Sequence, residues 1–262
     1  MKPTRDRVIV ALAMRRSGHH AVMNQLCYQL DRVLHLNNCK KTWISGIVPI
    51  KGRFRLYENQ RVIDTGPQPY KKYRTMIATM EFSPNLMYSL EDADVGVDYS
   101  KAVEPHRSRT TICVVRDPFN WLASSLQQGA DMAANIERRI SLWKKQVSQC
   151  LRPDTYPYGH FVDVNYNRWV LDRAYREDLS RRLGLNFSDH GLDEVLEFGP
   201  GSSFDGTQLD GKGSRMNVMK RFKRFEHDPR YRSLVNDQEL ISLSECYFAF
   251  NPMVTGFSVQ TR

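Results

Sequence analysis

The stretch RVIVALAMRRSGHHAVMNQL, residues 7–26, decides what fold the rest of the chain must complete. Its first part, residues 8–13, is an unbroken apolar run, which is typical of a strand buried on both faces of a parallel sheet. The chain then turns through residues 14–20, which contain two arginines and one glycine, into a helical pattern. A strand, a tight loop and a helix present backbone N–H groups to an anion. We therefore predict a phosphate-binding turn, although an ordinary strand-to-helix turn with solvated arginines would show the same pattern.

The length and composition fit one large α/β domain over residues 1–262, with 41% hydrophobic and 26% charged residues. The net charge of +9 suits anionic ligands such as nucleotides, acidic glycans or nucleic acid. The chain contains no run of about 18 apolar residues, so we predict no membrane-spanning helix. We also expect no signal peptide, because the first residues lead directly into the first predicted strand. The cysteines are scattered, so we expect reduced thiols and a cytoplasmic protein. No cluster has metal-ligand spacing, so no metal is expected.

Strands and helices alternate along the chain, which predicts a mostly parallel sheet with helices on both faces. Further core strands are predicted at 75–82, 110–115 and 161–164, and a hairpin insertion at about 51–66. The acidic stretch 86–97 favours a short helix or a loop, and 40–50 a short strand or a loop. Helices are predicted from Phe119 onward and over 130–150, 167–183, 214–225 and 237–250.

A second motif begins at Arg116, at the end of the predicted strand 110–115. Asp117 can cap the next helix and Pro118 can occupy its first position. Ser124 lies about two helical turns further on. A guanidinium fork and a hydroxyl in this arrangement can hold one phosphate. The motif also fits a plain helix cap, an arginine paired with a carboxylate and a small packing serine.

Together, the strand-R-S-G-x-x-helix and strand-R-D-P-x-x-x-x-x-S motifs resemble the sulfotransferase family, which transfers sulfonate from 3'-phosphoadenosine 5'-phosphosulfate (PAPS). The resemblance implies the P-loop NTPase-like sulfotransferase fold, with residues 16–20 in place of the family's K-S-G-T-T 5'-phosphosulfate loop. Residues 116–124 correspond to its 3'-phosphate site. The weaker stretches 164–167 and 210–213 resemble its adenine-side strand end and its late R-K-G loop. The cofactor-binding residues that this implies are Arg15, Arg16, Ser17, Gly18, His19, His20, Arg116, Ser124, Tyr166, Lys212, Gly213 and Arg215.

The chain departs from the family pattern at several of these positions. Arg16 replaces the loop lysine; it remains a cation, but it cannot donate a proton near neutral pH. His19 and His20 replace the two threonines. Asn167 and Gly211 stand where the family usually has Glu and Arg. These departures leave an inactive sulfotransferase-like protein as an open alternative.

Sulfonate transfer requires an acceptor oxygen in line with sulfur and stabilisation of the charge that develops on the leaving oxygen. Arg16, together with Arg15 and the backbone of residues 17–20, can perform the second task. The family's base is a His or Glu after a core strand, which favours Glu81 as the catalytic base, with His20 and His106 as further candidates. Glu81 could equally cap a turn or pair with an arginine.

The expected function is therefore that of a PAPS-dependent, bacterial-type sulfotransferase, with adenosine 3',5'-bisphosphate as product. The acceptor would be a hydroxyl of a carbohydrate or another small molecule, and no nucleic-acid partner is expected. One alternative is a P-loop kinase or NTPase, although the Walker A sequence G-x-x-x-x-G-K-[ST] is absent. Another is a non-catalytic protein that binds nucleic acid or acidic glycan through the basic stretch 212–224.

Overall fold

The computed structural model describes residues 5–42, 46–49, 53–67, 85–103, 105–129, 135–195, 202 and 204–252. Within these residues the chain builds one eight-stranded sheet in the order β5-β4-β2-β6-β1-β7-β8, with β3 paired to β2. The pairs from β2 through β6, β1 and β7 to β8 are parallel, which confirms the predicted mostly parallel α/β class. The strands are β1 (Arg5–Ala13), β2 (Arg32–Thr42), β3 (Gly46–Pro49), β4 (Arg53–Glu58), β5 (Arg61–Pro67), β6 (Asn85–Glu91), β7 (His106–Val115) and β8 (His160–Asn165).

The central strand β1 is buried on both faces, as its apolar run predicts. Val8, Val10 and Leu12 belong to one hydrophobic cluster. Ile9 and Ala11 belong to the other. Helices cover both faces of the sheet, again as predicted. One face carries α1 (His19–Tyr28), α4 (Tyr166–Leu171) and α5 (Arg173–Arg182), and the other carries α2 (Pro118–Leu126), α3 (Ile136–Cys150), α6 (Pro229–Val235) and α7 (Gln238–Phe248).

The strand register brings four strand ends to the same edge of the sheet. Ala13 at the end of β1 pairs with Glu91 of β6 and with Val114 of β7. Val115 of β7 pairs with Asn165 at the end of β8. In open parallel sheets ligands bind beyond the carboxyl ends of the strands, so this edge is where a site is expected.

One core strand lies where the sequence favoured a helix or a loop. The stretch 86–97 was expected to be a short helix or loop, but Asn85–Glu91 is the buried strand β6, hydrogen-bonded between β2 and β1. The prediction was wrong because pairing with two neighbours, a long-range interaction, decides the conformation of a short apolar run. The strand predicted at 75–82 lies outside the described residues. Arg32–Thr42 is β2, which no pattern in the sequence predicts. Gly46–Pro49, within the stretch 40–50 that is predicted as a short strand or a loop, is the strand β3 and pairs antiparallel with β2.

At the sheet edge the structure agrees with the pattern of the sequence, whereas two of the predicted helices differ from what the structure shows. The strands β4 and β5 pair antiparallel around a turn at Asn59 and Gln60, as their alternating pattern predicts. The predicted helix 167–183 is two helices, because Asp172 is extended and its carboxylate accepts a bond from Tyr175 N, which starts α5. The predicted helix 214–225 is wrong: it forms only the short 3₁₀ turns Gly213–Arg215 and Arg221–Phe225.

None of the helices described here combines the length and the apolar character that crossing a membrane requires.

The helix break at Asp172 provides a test of the local fold. We expect Asp172→Ala to lower the free energy of unfolding by about 1 kcal/mol, because the first N–H groups of α5 lose their side-chain acceptor. Asp172→Asn, which keeps an accepting oxygen, should lose only a fraction of this. Urea denaturation measures both variants. An alanine variant as stable as the wild type would show that the cap does not hold the break.

Candidate functional site

The loop between β1 and α1 is closed by a glycine that no larger residue can replace. Gly18 caps α1 in the left-handed conformation, with φ +83°. A β-carbon built on Gly18 would overlap the ring of Tyr166, which follows β8. Ser17 N–H donates to Met14 O at 3.1 Å, so the backbone folds back on the strand end. The tight turn thus leaves the first N–H groups of α1 directed away from the helix, as an anion site requires.

Arg116, at the end of β7, is fully buried beside this loop, at 1% exposure. Its Nη1 donates to Ser124 Oγ at 3.2 Å and approaches the carbonyl of Arg16 at 3.5 Å, and its Nη2 donates to the carbonyl of Val218. Among the described residues, its Nε has no hydrogen-bond partner. The structure therefore brings Arg116, Ser124 and the first loop together, as the sequence predicts.

A further arginine reaches the same hydroxyl. Arg221 Nη1 donates to Ser124 Oγ at 3.3 Å, and Nη2 donates to Ser202 Oγ at 2.8 Å. Its one described ion pair is with Asp205, at 3.4 Å. Because Ser124 Oγ already accepts two bonds, its own proton remains to be donated to a third group. The sequence did not single out Arg221, which is one of several basic residues in that segment.

Arg221 is held in place by a buried polar clamp on α2. Both carboxylate oxygens of Asp117 accept from Asn120 Nδ2 at 3.1 Å, and Oδ1 also accepts from Asn120 N at 2.8 Å. Asn120 Oδ1 accepts the backbone N–H groups of Arg221, at 2.8 Å, and Phe222, at 3.3 Å. Asn120 Nδ2 also donates to Met219 O at 3.1 Å. These bonds replace helical ones, which explains why the segment forms only 3₁₀ turns.

The arginines at this edge repel one another. Burial lowers the pKa of Arg16, and the charge of Arg116 lowers it further against the opposing effect of Glu91. Burial also lowers the pKa of Arg116. For Arg221, burial and then the charges of Arg116 and Arg16 bring the pKa to about 10. All three groups remain cationic at neutral pH, so the edge concentrates positive charge that an anion would neutralise.

The β6 side of the loop carries the opposite charge. Glu91 Oε2 accepts from Arg15 Nε at 3.0 Å. Its Oε1 lies 3.5 Å from His19 Nε2 and 3.4 Å from His20 Nε2. The His20 side chain is 27% exposed, whereas that of Glu91 is 9% and that of His19 3%. His20 is thus the member of the group that an incoming molecule can reach.

The pKa values of Glu91 and His19 both lie below their usual ranges. Burial works to raise the pKa of Glu91, but the contacts from His19 and His20 outweigh it and hold it well below its usual range. Burial, with the neighbouring charge of His20, lowers the pKa of His19 to about 4 despite Glu91. At neutral pH Glu91 is therefore an anion and His19 is neutral.

Of the other predicted cofactor-binding residues, Tyr166 lies beside Arg116, whereas the three residues from the late loop lie elsewhere. The ring of Tyr166 stacks on Trp169 at a centroid distance of 5.8 Å, and the Arg116 guanidinium lies 5.5 Å from its centre. Lys212 and Arg215 are exposed, and Gly213 N–H donates to Asp193 O at 2.9 Å. No contact described for these three residues joins them to Arg116 or Ser124.

The other two residues that the sequence offers as the catalytic base are His106 and Glu81. His106 begins β7 and pairs beside Arg5, at the amino edge of the sheet. That edge is about 30 Å along the strand from Arg116, so His106 is a wrong prediction for this site. Glu81 lies outside the described residues. Glu91, which the sequence analysis missed, ends β6 beside the loop; the stretch 86–90, apolar except for Ser89 and followed by a carboxylate, is the signal that could have found it.

His19, His20 and Glu91 are also the group within the described residues that could hold a metal ion, because one ligand atom from each lies within 4.8 Å of the others. However, His20 Nε2 lies 2.9 Å from Asn37 Oδ1, a hydrogen-bond distance that places a proton on this nitrogen. Arg15 also occupies the other oxygen of Glu91. A metal would have to displace that proton, so the observed arrangement is that of a hydrogen-bonded group.

Comparison with known proteins finds likeness in structure alone. No protein-family model matches the chain, and no curated protein matches it. Similar solved structures include the sulfotransferase domain of the olefin synthase from Synechococcus PCC 7002, which is 15% identical, with 96% of this chain and 98% of that chain covered and a TM-score of 0.47. They also include mouse sulfotransferase SULT7A1 complexed with PAP, 11% identical, with 94% and 91% covered and a TM-score of 0.41. Likeness at this level carries no functional argument, so the function rests on the site itself.

The close approach of Gly18 and Tyr166 can be tested by stability. Gly18→Ala should lower the free energy of unfolding by more than the roughly 1–2 kcal/mol that a left-handed alanine costs, because its β-carbon overlaps the Tyr166 ring. Gly211→Ala is the matched control: φ is +74° and nothing lies within 4 Å, so only the backbone cost applies. Equal losses in urea denaturation would contradict the close approach.

Proposed function

We propose that the protein transfers a sulfonate group from PAPS to an acceptor hydroxyl. The observation that carries the proposal is Arg116, a fully buried guanidinium whose Nε lacks a partner among the described residues and whose two Nη groups bond neutral oxygens. The neighbouring Asp117 carboxylate acts on Arg116 through its charge, but it gives both oxygens to Asn120 and makes no described ion pair with the guanidinium. Burying a cation without a direct ion pair is costly. A phosphate at this position would supply that charge and accept the Ser124 proton.

The donor has anionic groups at two ends, and the edge of the sheet offers cations for both. Arg116, Ser124 and Arg221 would hold the 3'-phosphate, since two guanidinium groups and a hydroxyl converge there. The backbone of the loop 16–20 and the Arg16 side chain would hold the 5'-phosphosulfate at the start of α1. Tyr166, packed against Gly18, would close the space between them.

The transfer itself needs one proton to leave the acceptor. The acceptor oxygen forms a bond to sulfur, the bond from sulfur to the bridging oxygen breaks, and the electron pair stays on the departing phosphate. Arg16 would stabilise this developing charge. His20 would take the acceptor proton, and Glu91, an anion 3.4 Å from it, would stabilise the imidazolium.

The rival functions lack comparable support. A kinase would use a carboxylate after the strand to hold Mg²⁺, but Asp117 gives both oxygens to Asn120 as a helix cap. A nucleic-acid surface could use the exposed basic residues of the segment 212–224, but it would not explain why Arg221 points inward to Ser124 beside the buried Arg116.

The proposed setting is a reducing compartment such as the cytoplasm. All five cysteines are free, and four of them are buried. The proposed acceptor is a carbohydrate or another small hydroxyl compound.

Calorimetry with adenosine 3',5'-bisphosphate tests the donor assignment. We expect binding by the wild type and weaker binding of adenosine 5'-monophosphate, which lacks the 3'-phosphate. Arg116→Lys keeps the charge but loses the fork, and Arg221→Ala removes one donor. Each should weaken the bisphosphate about 10- to 100-fold, the equivalent of one charge-assisted hydrogen bond.

The control is Arg173→Ala, which removes an exposed arginine paired with Glu177 and should bind normally. Circular dichroism checks that each variant is folded. If the wild type binds neither nucleotide at millimolar concentration, or binds both equally well, the donor assignment is wrong.

Glu91→Gln tests the acceptor side. We expect kcat for sulfonate transfer from radiolabelled PAPS, measured with an acceptor found in a panel of sugars and phenols, to fall about 10²-fold or more. The affinity for adenosine 3',5'-bisphosphate should stay unchanged, because Glu91 lies on the β6 side of the loop. Glu194→Gln is the control: this carboxylate also accepts bonds from α1, from Asn24 and Tyr28. Equal activity of the two variants would remove Glu91 from the mechanism.

The same variant has a pH signature in stability. Because the pKa of Glu91 is lower in the folded chain than in the unfolded one, its ionised form adds stability above a pH of about 4.3, and this contribution is lost as the pH falls. The stability difference between the wild type and Glu91→Gln should therefore shrink on acidification. Urea denaturation between neutral and acidic pH measures it.

A further inference from the structure

A bulge in β2 places two asparagines opposite one serine. Leu36 pairs with Tyr88 and Cys39 with Leu90, so Asn37 and Asn38 both lie opposite Ser89. Asn38 adopts a left-handed conformation, with φ +48°, as the bulge requires. Bulges re-aim side chains beside functional sites, and this one lies two residues from the end of β6, where Glu91 stands.

The bulge organises a buried hydrogen-bond chain that ends on His20. Asn38 N–H donates to Ser89 Oγ at 3.1 Å, and Ser89 Oγ donates to Asn37 Oδ1 at 2.9 Å. His20 Nε2 lies 2.9 Å from the same oxygen of Asn37. Ser89 and Asn37 are buried, at 0% and 3% exposure, so water does not compete for these bonds.

The direction of the chain determines where the imidazole proton lies. A carbonyl oxygen of an amide carries no proton, so Asn37 Oδ1 can only accept. It accepts once from the Ser89 hydroxyl and therefore needs a proton on His20 Nε2 for the second bond. In the neutral imidazole this leaves Nδ1 as the basic nitrogen.

We propose that Asn37 is a positioning residue that fixes the Nε2–H tautomer of His20, so that Nδ1 receives the acceptor proton. This inference rests on the proposed sulfonate transfer and assigns one further role within it. As the acceptor oxygen bonds to sulfur, its proton moves to Nδ1, and the broken bond leaves its electron pair on the 5'-phosphate of the departing nucleotide. Among the contacts described, the other groups that face His20 are Glu91 from β6, His35 from β2 and its own neighbour His19. Glu91 Oε1 lies 3.4 Å from the same Nε2 and favours the same tautomer, but Asn37 makes the shorter contact, at 2.9 Å.

Asn37→Asp provides the sharpest test. A carboxylate at this position still accepts the Nε2 proton, but its negative charge stabilises the imidazolium. The acidic limb of the pH profile of kcat should therefore move to higher pH by about 1–3 pH units. Asn37→Leu removes the acceptor, and kcat should fall about 10-fold or more while the affinity for adenosine 3',5'-bisphosphate stays unchanged.

Asn24→Asp is the matched control. Asn24 is also a buried asparagine and lies on the helix that carries His20, but its side chain bonds Gly191 O, Glu194 and Tyr57 instead. This variant should leave the pH profile where it is in the wild type. Asn37→Asp and wild-type profiles that superimpose would overturn the proposal, as would a shift of equal size in Asn24→Asp.

A second measurement is independent of catalysis. Nitrogen-15 NMR of the wild-type protein should show the neutral His20 ring with Nε2 protonated and Nδ1 unprotonated, and Asn37→Leu should populate the opposite tautomer more than the wild type does. The opposite tautomer in the wild type overturns the proposal whatever the activity. If the tautomer is as stated but no sulfonate transfer or bisphosphate binding is found, the proposed function fails while the role of Asn37 in fixing the ring stands.

Discussion

The burial of Arg116 is the constraint on which the candidate site depends. Its guanidinium bonds the Ser124 hydroxyl and the carbonyl of Val218, which are dipoles and not opposite charges. The Trp143 indole donates to the Arg116 carbonyl at 2.9 Å, so the backbone at the strand end is also fixed. The segment that supplies Val218 is pinned to α2 through Asn120. The fold thus holds a cation in a position of low solvation, where an anion binds more strongly than it would at a surface.

The central strand β1 separates this cationic side from an acidic one. Its last residue, Ala13, pairs with Glu91 on one side and with Val114, two residues before Arg116, on the other. A group bound on the loop after β1 would therefore have arginines towards β7 and the Glu91–His20 pair towards β6. An in-line displacement needs charge stabilisation at the leaving oxygen and a proton acceptor at the opposite side of the transferred group. The strand order supplies this separation.

The parts of the fold that the sequence predicts are those that local physics decides. The apolar run of β1 and the Asp117-Pro118 helix start need no distant partner to be recognised. Glu91 and Arg221 are different. Glu91 belongs to β6, a short strand that forms by pairing with β2 on one side and β1 on the other. Arg221 is distinguished from nearby basic residues by its bonds to Asn120 and Ser124. The apolar stretch before Glu91 is a local signal, but the selection of Arg221 from its basic neighbours has no signature in the order of residues.

The two adjacent histidines of the loop show how environment separates identical side chains. His19 is enclosed, with 3% of its side chain exposed, and burial keeps it neutral at physiological pH. His20 lies at the edge and shares Asn37 with Ser89. The two side chains therefore differ in what they can reach: His19 packs inside the loop, whereas His20 is the one that would take the acceptor proton in the proposed transfer. Threonines at these positions would provide hydroxyl donors, whereas the histidine pair provides a basic nitrogen whose position the bulge in β2 determines.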